Sequence, residues 1–201
     1  MNTIQPAGIP RGLTAVLILL FVLSLAFLSY GNYAAGSGAW EMIISTLLLS
    51  IPLGLLYFSI GLLAAAYLQK RSQGQISRRL AVFIYYAPRI AGVLITFFIG
   101  LFALDVFEEG QNFRVMLGGF IIHALPAIIL AILLALAWRW EWIGAIAFIG
   151  AALYCLRFLM SDNWSMAFGN LLIFSGPLAM IGILFWLNWK WRKELHPPDK
   201  A

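Results

Sequence analysis

The chain has 201 residues, of which 63% are hydrophobic and 10% are charged, and its formal net charge is +5. Soluble globular domains carry about 25% charged and about 45–50% apolar residues, so the composition excludes a soluble domain, a disordered chain and a fibrous repeat. The apolar residues form long runs rather than alternating segments of ~10 residues, which predicts membrane-spanning helices and excludes an outer-membrane barrel.

In chain order, six runs are long enough to cross a bilayer, for which a helix needs about 20 apolar residues. They predict an all-α, polytopic transmembrane helix bundle with spans at residues 12–30, 42–68, 82–104, 115–137, 142–159 and 168–189. The first run follows Arg11 as a signal peptide would. It is long for such a segment, and Tyr33-Ala34-Ala35 is a poor cleavage site, so we expect the first span to be retained.

The basic residues predict the orientation, because cytoplasmic loops are enriched in Lys and Arg. With both termini in the cytoplasm, ten of the thirteen basic residues fall on that side: Arg11, Lys70, Arg71, Arg78, Arg79, Arg139, Lys190, Arg192, Lys193 and Lys200. Glu41, Asp105, Glu108, Glu109 and Asp162 fall on the other side. We expect the lipid bilayer as a partner, with anionic lipids on the cytoplasmic face, and no nucleic acid.

Tryptophan supports the same topology, since its amphipathic ring prefers the membrane interface. All eight tryptophans lie at span ends, and six fall at the cytoplasmic ends as candidate anchors: Trp138, Trp140, Trp142, Trp186, Trp189 and Trp191. The run from Trp138 to Trp142 predicts an anchored tight turn.

Each of the three even-numbered spans has one proline about ten residues from its start: Pro52, Pro126 and Pro177. A proline frees the carbonyl four residues earlier and tends to kink a helix. The matching depth suggests three repeated hairpins with kinks. Chance is the alternative, because proline is fairly frequent in membrane helices.

Small residues at four-residue spacing predict close helix packing. The third span carries Gly92, Thr96 and Gly100, and the fourth carries Ala127, Ala131 and Ala135. We therefore expect the third and fourth spans to pack tightly against each other.

Polar residues within spans are functional candidates, because a charge at the bilayer centre costs about 2.5–3.5 kcal/mol on insertion scales. The candidates define a hypothetical outward-facing polar pocket: Asp105, His123, Arg157, Asn170 and Ser175. In this hypothesis Asp105 or Glu108 pairs with Arg157. The alternatives are that Asp105 and Arg157 are solvated at the interface, and that His123 is a helix–helix hydrogen-bond partner.

Arg89 is the remaining charge in a span. We expect it to mark the true start of the third span, with residues 76–87 forming an interfacial amphipathic stretch.

Catalytic and cofactor signatures are missing from the sequence. Cys155 is the only cysteine and His123 is the only histidine within a span, so we expect no cofactor and no metal site. The chain lacks the HExxH, GxSxG and P-loop motifs. It also has no carboxylate near a predicted midplane, where ion-coupled transporters usually hold one. An enzyme is therefore disfavoured.

Several short motifs also occur together between residues 80 and 192. They are Arg89-Ile90, Leu104-Asp105-Val106-Phe107, His123 with Pro126, the run from Ala137 to Gly144, and Ser175-Gly176-Pro177-Leu178. This part of the chain resembles a family of small, uncharacterised prokaryotic integral membrane proteins with a four-helix core. The resemblance implies a membrane protein of unknown function. It divides a single transmembrane domain into an added helical hairpin, residues 1–75, and the core, residues 76–195.

Together these features predict a multi-pass protein of the prokaryotic cytoplasmic (inner) membrane. We expect a non-catalytic accessory, scaffolding or assembly protein that acts through helix–helix contacts, within a larger membrane complex or as a homo-oligomer. The alternative is a small-solute or lipid transporter, or a sensor, that uses the outward-facing pocket. An enzyme acting on lipid is the third hypothesis.

Overall fold

The computed structural model describes residues 10–34, 36–107, 112–159 and 163–195. The described residues are helical and contain no strand. Their helices are α1 (Arg11–Ala34), α2 (Ala39–Gln73), α3 (Arg78–Leu101), α4 (Phe113–Ala137), α5 (Glu141–Phe158), α6 (Trp164–Asn170), α7 (Gly176–Lys190) and α8 (Arg192–Leu195). A 3₁₀ turn, Phe102–Val106, follows α3, and a π-helical turn, Leu171–Ser175, joins α6 to α7.

Six of the helical segments are long and apolar enough to cross a membrane, as predicted. They are Arg11–Ala34, Ala39–Gln73, Arg78–Val106, Phe113–Ala137, Glu141–Phe158 and Trp164–Lys190. We use the name basic end for the end of the bundle at which α1, α3 and α5 begin and α2, α4 and α7 end. The 35-residue α2 is about 52 Å long, which exceeds a hydrocarbon core of about 30 Å. Its last turn pairs with α8 at the basic end, where Lys70 Nζ lies 2.8 Å from Glu194 Oε1.

Helix α7 is the centre of the bundle. Leu178, Ile181, Leu184 and Phe185 on this helix are all fully buried. One core cluster joins α7 to α3, α4 and α5, and a second joins it to α2, α3 and α8. Helix α1 lies at the edge, and Ser24 is its one buried residue.

The expectation for Arg89 was wrong. Helix α3 begins at Arg78, and Arg89 is the twelfth residue of the continuous helix, with 2% of its side chain exposed. The physical reason is a counter-charge distant in sequence, Glu141, which allows a guanidinium to be buried where a lone one would be expelled.

Candidate functional site

The most unusual site in the described residues is a buried ion pair between α3 and the start of α5. Arg89 Nη2 lies 3.4 Å from Glu141 Oε1, and the two side chains are 2% and 6% exposed. Charged side chains are almost never fully buried unless they are paired. The pair thus joins two segments that are 52 residues apart in the sequence.

The direction of the arginine follows from helix geometry, because side chains on a helix tilt toward its N-terminus. Arg89 points back along α3 toward the basic end, and its Nη1 donates a hydrogen bond of 2.5 Å to the carbonyl oxygen of Tyr85. The guanidinium carbon also lies 3.8 Å from the centre of the Tyr85 ring. A delocalised cation over an aromatic face is stabilised by the ring quadrupole. Its Nε has no hydrogen-bond partner among the described residues.

Glu141 is held by the turn between α4 and α5. Arg139 and Trp140 both donate backbone hydrogen bonds to the carbonyl of Leu136, so the chain reverses within three residues, as the tryptophan-rich run predicted. Glu141 is then the first residue of α5. Helix N-termini stabilise negative charge, so the carboxylate is favoured both by Arg89 and by its own helix.

A second polar contact compensates a proline in the same helix. Pro88 lies inside α3 and removes the N–H that would bind the carbonyl of Ile84. Asn188, which is fully buried on α7, donates from Nδ2 to that carbonyl at 2.7 Å and to the carbonyl of Leu184 at 2.8 Å. The amide thus occupies the position that the proline leaves empty.

Other buried polar groups line the core. Gln69 near the end of α2 accepts a hydrogen bond of 3.0 Å from the backbone N–H of Ser77, which fixes the connection to α3. Ser59 Oγ, Thr96 Oγ1 and Asn188 Oδ1 are buried without a hydrogen-bond partner among the described residues.

The structure distributes the five residues of the hypothetical outward-facing pocket over separate environments. Asp105 is exposed in a groove of about 270 Å³ that Asn32 and Ser45 also line. His123 is exposed on α4, and its Nδ1 lies 2.9 Å from the carbonyl oxygen of Gly119 on the same helix.

Arg157, exposed at the end of α5, has its guanidinium carbon 5.9 Å from the centre of the Phe158 ring. Asn170 donates to the carbonyl of Leu159, and Ser175 is buried at the end of the π-helical turn. No hydrogen bond or ion pair within the described parts of the chain joins any two of the five. Glu108, the alternative partner of Arg157, lies outside the described residues.

The small residues of α3 and α4 have different surroundings. Gly100 contacts the other helix, because a Cβ at this position would lie 3.6 Å from the Cβ of Ala127. A Cβ at Gly92 would lie 2.8 Å from Leu134, and Thr96 is buried between these glycines. Ala131 and Ala135, in contrast, are exposed.

Helices α5 and α7 also approach each other closely, at glycines that the sequence analysis did not single out. A Cβ at Gly182 would lie 2.9 Å from the backbone nitrogen of Ile149, and a Cβ at Gly144 would lie 2.7 Å from the Phe185 ring. The rings of Phe148 and Phe185 stack with centroids 5.8 Å apart. Two glycines on two different helices thus permit this crossing, a pattern that a search for spaced residues within one span does not detect.

The prolines differ in their local geometry. Helices α2 and α4 continue through Pro52 and Pro126. Immediately before Pro177 the helix is π-helical, and the N–H of Gly176 bonds to the carbonyl of Leu171, five residues earlier. Such a turn changes the register of the hydrogen bonds at the point where proline would interrupt them.

The tryptophans predicted as anchors lie toward the basic end. Trp138, Trp140, Trp142, Trp186 and Trp189 are exposed, and Trp191 is partly buried. Lys70 Nζ lies 4.3 Å from the centre of the Trp191 ring, so this tryptophan also contributes to the contact between α2 and α8.

The sequence did not single out Glu141, Asn188 or Pro88, and it misplaced Arg89. The Pro88-Arg89 pair within an apolar run was the available signal, because a freed carbonyl and an intramembrane cation each need a partner. The contacts of Arg89 with Glu141 and of Asn188 with Ile84 neutralise a buried charge and connect α3 to α5 and α7. The described residues contain no group of three His, Cys, Asp or Glu side chains that could hold a metal ion.

The chain matches a protein-family model. A family model described as Domain of unknown function (DUF7670) matches residues 76–196, which are more than half of the chain. The matched range includes α3 to α8, and therefore the whole Arg89–Glu141 site. Searches of curated proteins and of solved structures found no match.

Proposed function

The chain belongs to the DUF7670 family, whose function is unknown, and we propose from its own residues that it is a non-catalytic, multi-pass scaffold or accessory protein of the prokaryotic cytoplasmic membrane. Six apolar helices support a membrane location. Its partner would bind in the plane of the membrane, through helix–helix contacts.

The observation that carries the proposal is that the buried charged side chains of the described residues are paired with each other inside the bundle. Arg89 and Glu141 neutralise each other, and Asn188 caps a carbonyl of α3. Such contacts stabilise a fixed arrangement of helices. A proton or ion carrier, in contrast, would need charged groups that face a pathway.

The outer face of α4 is the surface that we propose for the partner. Ala127 is used within the bundle, whereas Ala131 and Ala135 continue the same spacing on an exposed face. Small residues allow another helix to approach closely, which is how lipid-embedded helices associate.

Site-specific crosslinking in the native membrane tests this function. A photoreactive residue at Ala131 or Ala135 should give one discrete adduct with a second polypeptide, or with a second copy of the chain. Ile129 is the matched control, because it is also exposed but points about 160° away from Ala131 and about 120° away from Ala135 around the helix. Adducts with lipid alone at all three positions would contradict the scaffold role.

A second candidate function rests on the groove that contains Asp105. Asn32 Nδ2 donates to Ser45 Oγ at 2.9 Å, so this groove combines a carboxylate, an amide and a hydroxyl at the end opposite the basic end. A small polar solute or a sensed cation would bind there. Asp105→Asn should then abolish a solute-dependent or pH-dependent response in the folded protein. His123→Ala should have the same effect if the outward-facing pocket includes His123. An unchanged response in both variants would eliminate this function.

A further inference from the structure

An apolar groove runs along the α1–α2 hairpin in the half nearest the basic end. It has a volume of about 360 Å³, and its lining includes Thr14, Leu17 and Phe21 on α1 and Gly54, Tyr57 and Gly61 on α2. Gly54 leaves space in the groove, because a Cβ there would meet nothing within 4 Å, whereas a Cβ at Gly61 would lie 3.2 Å from Leu17 Cδ1. The missing side chain at Gly54 therefore contributes to the volume of the groove.

The deep end of the groove is closed by a polar contact between the two helices. Ser24 Oγ and Tyr57 Oη share a hydrogen bond of 2.7 Å, and the Phe21 and Tyr57 rings meet edge to face with centroids 6.3 Å apart. Both contacts hold α1 against α2 at this point. The groove therefore lies between this contact and the start of α1.

The length of the groove limits what can occupy it. From Thr14 to Phe21 the helix rises about 10 Å, whereas one leaflet of the hydrocarbon core is about 15 Å deep. A partner helix that crosses the membrane would need a contact surface of about 30 Å. A single acyl chain that enters from one leaflet matches the observed depth.

A positive charge lies one turn beyond the groove, at the start of α1. Arg11 lies one turn before Thr14 on the same side of α1, is exposed, and makes no ion pair with any described residue. The N-terminus of α1 has no acidic residue in its first turn, so the partial positive charge of the helix end adds to that of Arg11. Both features attract a phosphate group.

We propose that this groove binds one acyl chain of an anionic phospholipid from the leaflet in which α1 begins, with the headgroup phosphate at Arg11. This inference rests on the proposed membrane location. The proposal assigns a specific lipid-binding site to the α1–α2 hairpin, whose surface would otherwise contact lipids without selectivity.

Photocrosslinking in vesicles tests the site. The probe is phosphatidylglycerol with a photoreactive group in one acyl chain, at low abundance in vesicles of phosphatidylcholine that contain the purified protein. We expect adducts concentrated on Leu17, Phe21 and neighbouring groove residues. Gly54→Leu, which fills the groove, should reduce these adducts about fivefold or more, because it removes the apolar surface that the chain buries.

Two further variants make the result specific. Gly150→Leu on α5 is the matched control, because a Cβ there also meets nothing within 4 Å and the residue does not line the groove. It should leave the adducts unchanged. Arg11→Gln leaves the groove intact and should remove the preference for phosphatidylglycerol over an equivalent phosphatidylcholine probe.

Extraction of the vesicles with alkaline carbonate separates the two possible failures. Release of the protein would overturn the membrane location and the lipid site together. Retention of the protein, with adducts spread over the exposed faces of α1 and α4 and insensitive to Gly54→Leu, would overturn the lipid site alone.

Discussion

Asn188 on α7 donates a hydrogen bond of 2.7 Å to the carbonyl oxygen of Ile84 on α3, the carbonyl that Pro88 deprives of its helical partner. The two residues are 104 positions apart in the chain. A side chain of α7 thus compensates a backbone hydrogen bond that α3 lacks, which fixes the position of the two helices relative to each other.

This match predicts a dependence between two substitutions. Asn188→Leu should lower the free energy of unfolding by about 1–3 kcal/mol, because it leaves a buried carbonyl without a partner. In a Pro88→Ala background, an N–H returns to α3 and the same change should cost less. Unfolding of the four proteins in detergent gives the coupling energy, and equal costs in both backgrounds would show that Asn188 does not serve the freed carbonyl.

The buried ion pair predicts a large cost for removing one partner. Glu141→Gln leaves Arg89 charged and buried, and should lower the free energy of unfolding by about 3–5 kcal/mol. Glu194→Gln is the control, since its partner Lys70 is partly exposed and surface pairs contribute about 0–1 kcal/mol. Arg89→Met combined with Glu141→Gln should restore more than half of the loss, and a double variant as unstable as the single one would contradict charge pairing as the cause.

The crossing of α5 and α7 predicts intolerance of a single methyl group. Gly182→Ala places a Cβ 2.6 Å from Ile149 Cγ1 and 2.9 Å from the Ile149 nitrogen, so the helices must separate. Overpacking of this kind costs about 1–3 kcal/mol. Gly150→Ala meets open space and should be neutral or stabilising, because alanine is the better helix former. Thermal denaturation in detergent compares them, and similar melting temperatures would argue against a tight crossing.

The charge distribution predicts which side of the bundle faces the cytoplasm. In a Cys155→Ser background, Gln75→Cys lies between α2 and α3 at the basic end and Ser37→Cys lies between α1 and α2 at the opposite end. An impermeant thiol reagent should label Ser37→Cys on intact cells and Gln75→Cys only after permeabilisation. The reverse pattern would overturn the cytoplasmic location of both termini.

The sequence was sufficient for the six apolar helices, because a helix that crosses lipid must satisfy its own backbone groups and expose apolar side chains. The sequence predicted the ends of the helices less accurately. Helix α2 continues to Gln73, past the expected end at residue 68, because Gly74 in a left-handed conformation ends it and its basic last turn contacts α8.

The sequence did not predict which polar side chains pair with each other, for a different reason. The burial of Arg89 depends on Glu141, and the position of that glutamate depends on a turn that reverses the chain 52 residues later. The spacing of small residues along one helix likewise does not show which of them contacts another helix. Ala127 and Ala131 have the same place in the pattern, but in the structure Ala127 contacts α3 and Ala131 is exposed.

The separation of Arg89 from Glu141 also has a consequence for biogenesis. At about 5–20 residues per second of translation, the 52 residues between them take roughly 3–10 s to synthesise. For that interval Arg89 on α3 lacks its carboxylate partner, which would make the insertion of this helix into a bilayer less favourable. The ion pair forms only after α5 has been synthesised. We therefore expect the docking of α3 against α5 to be a late step in the folding of this chain.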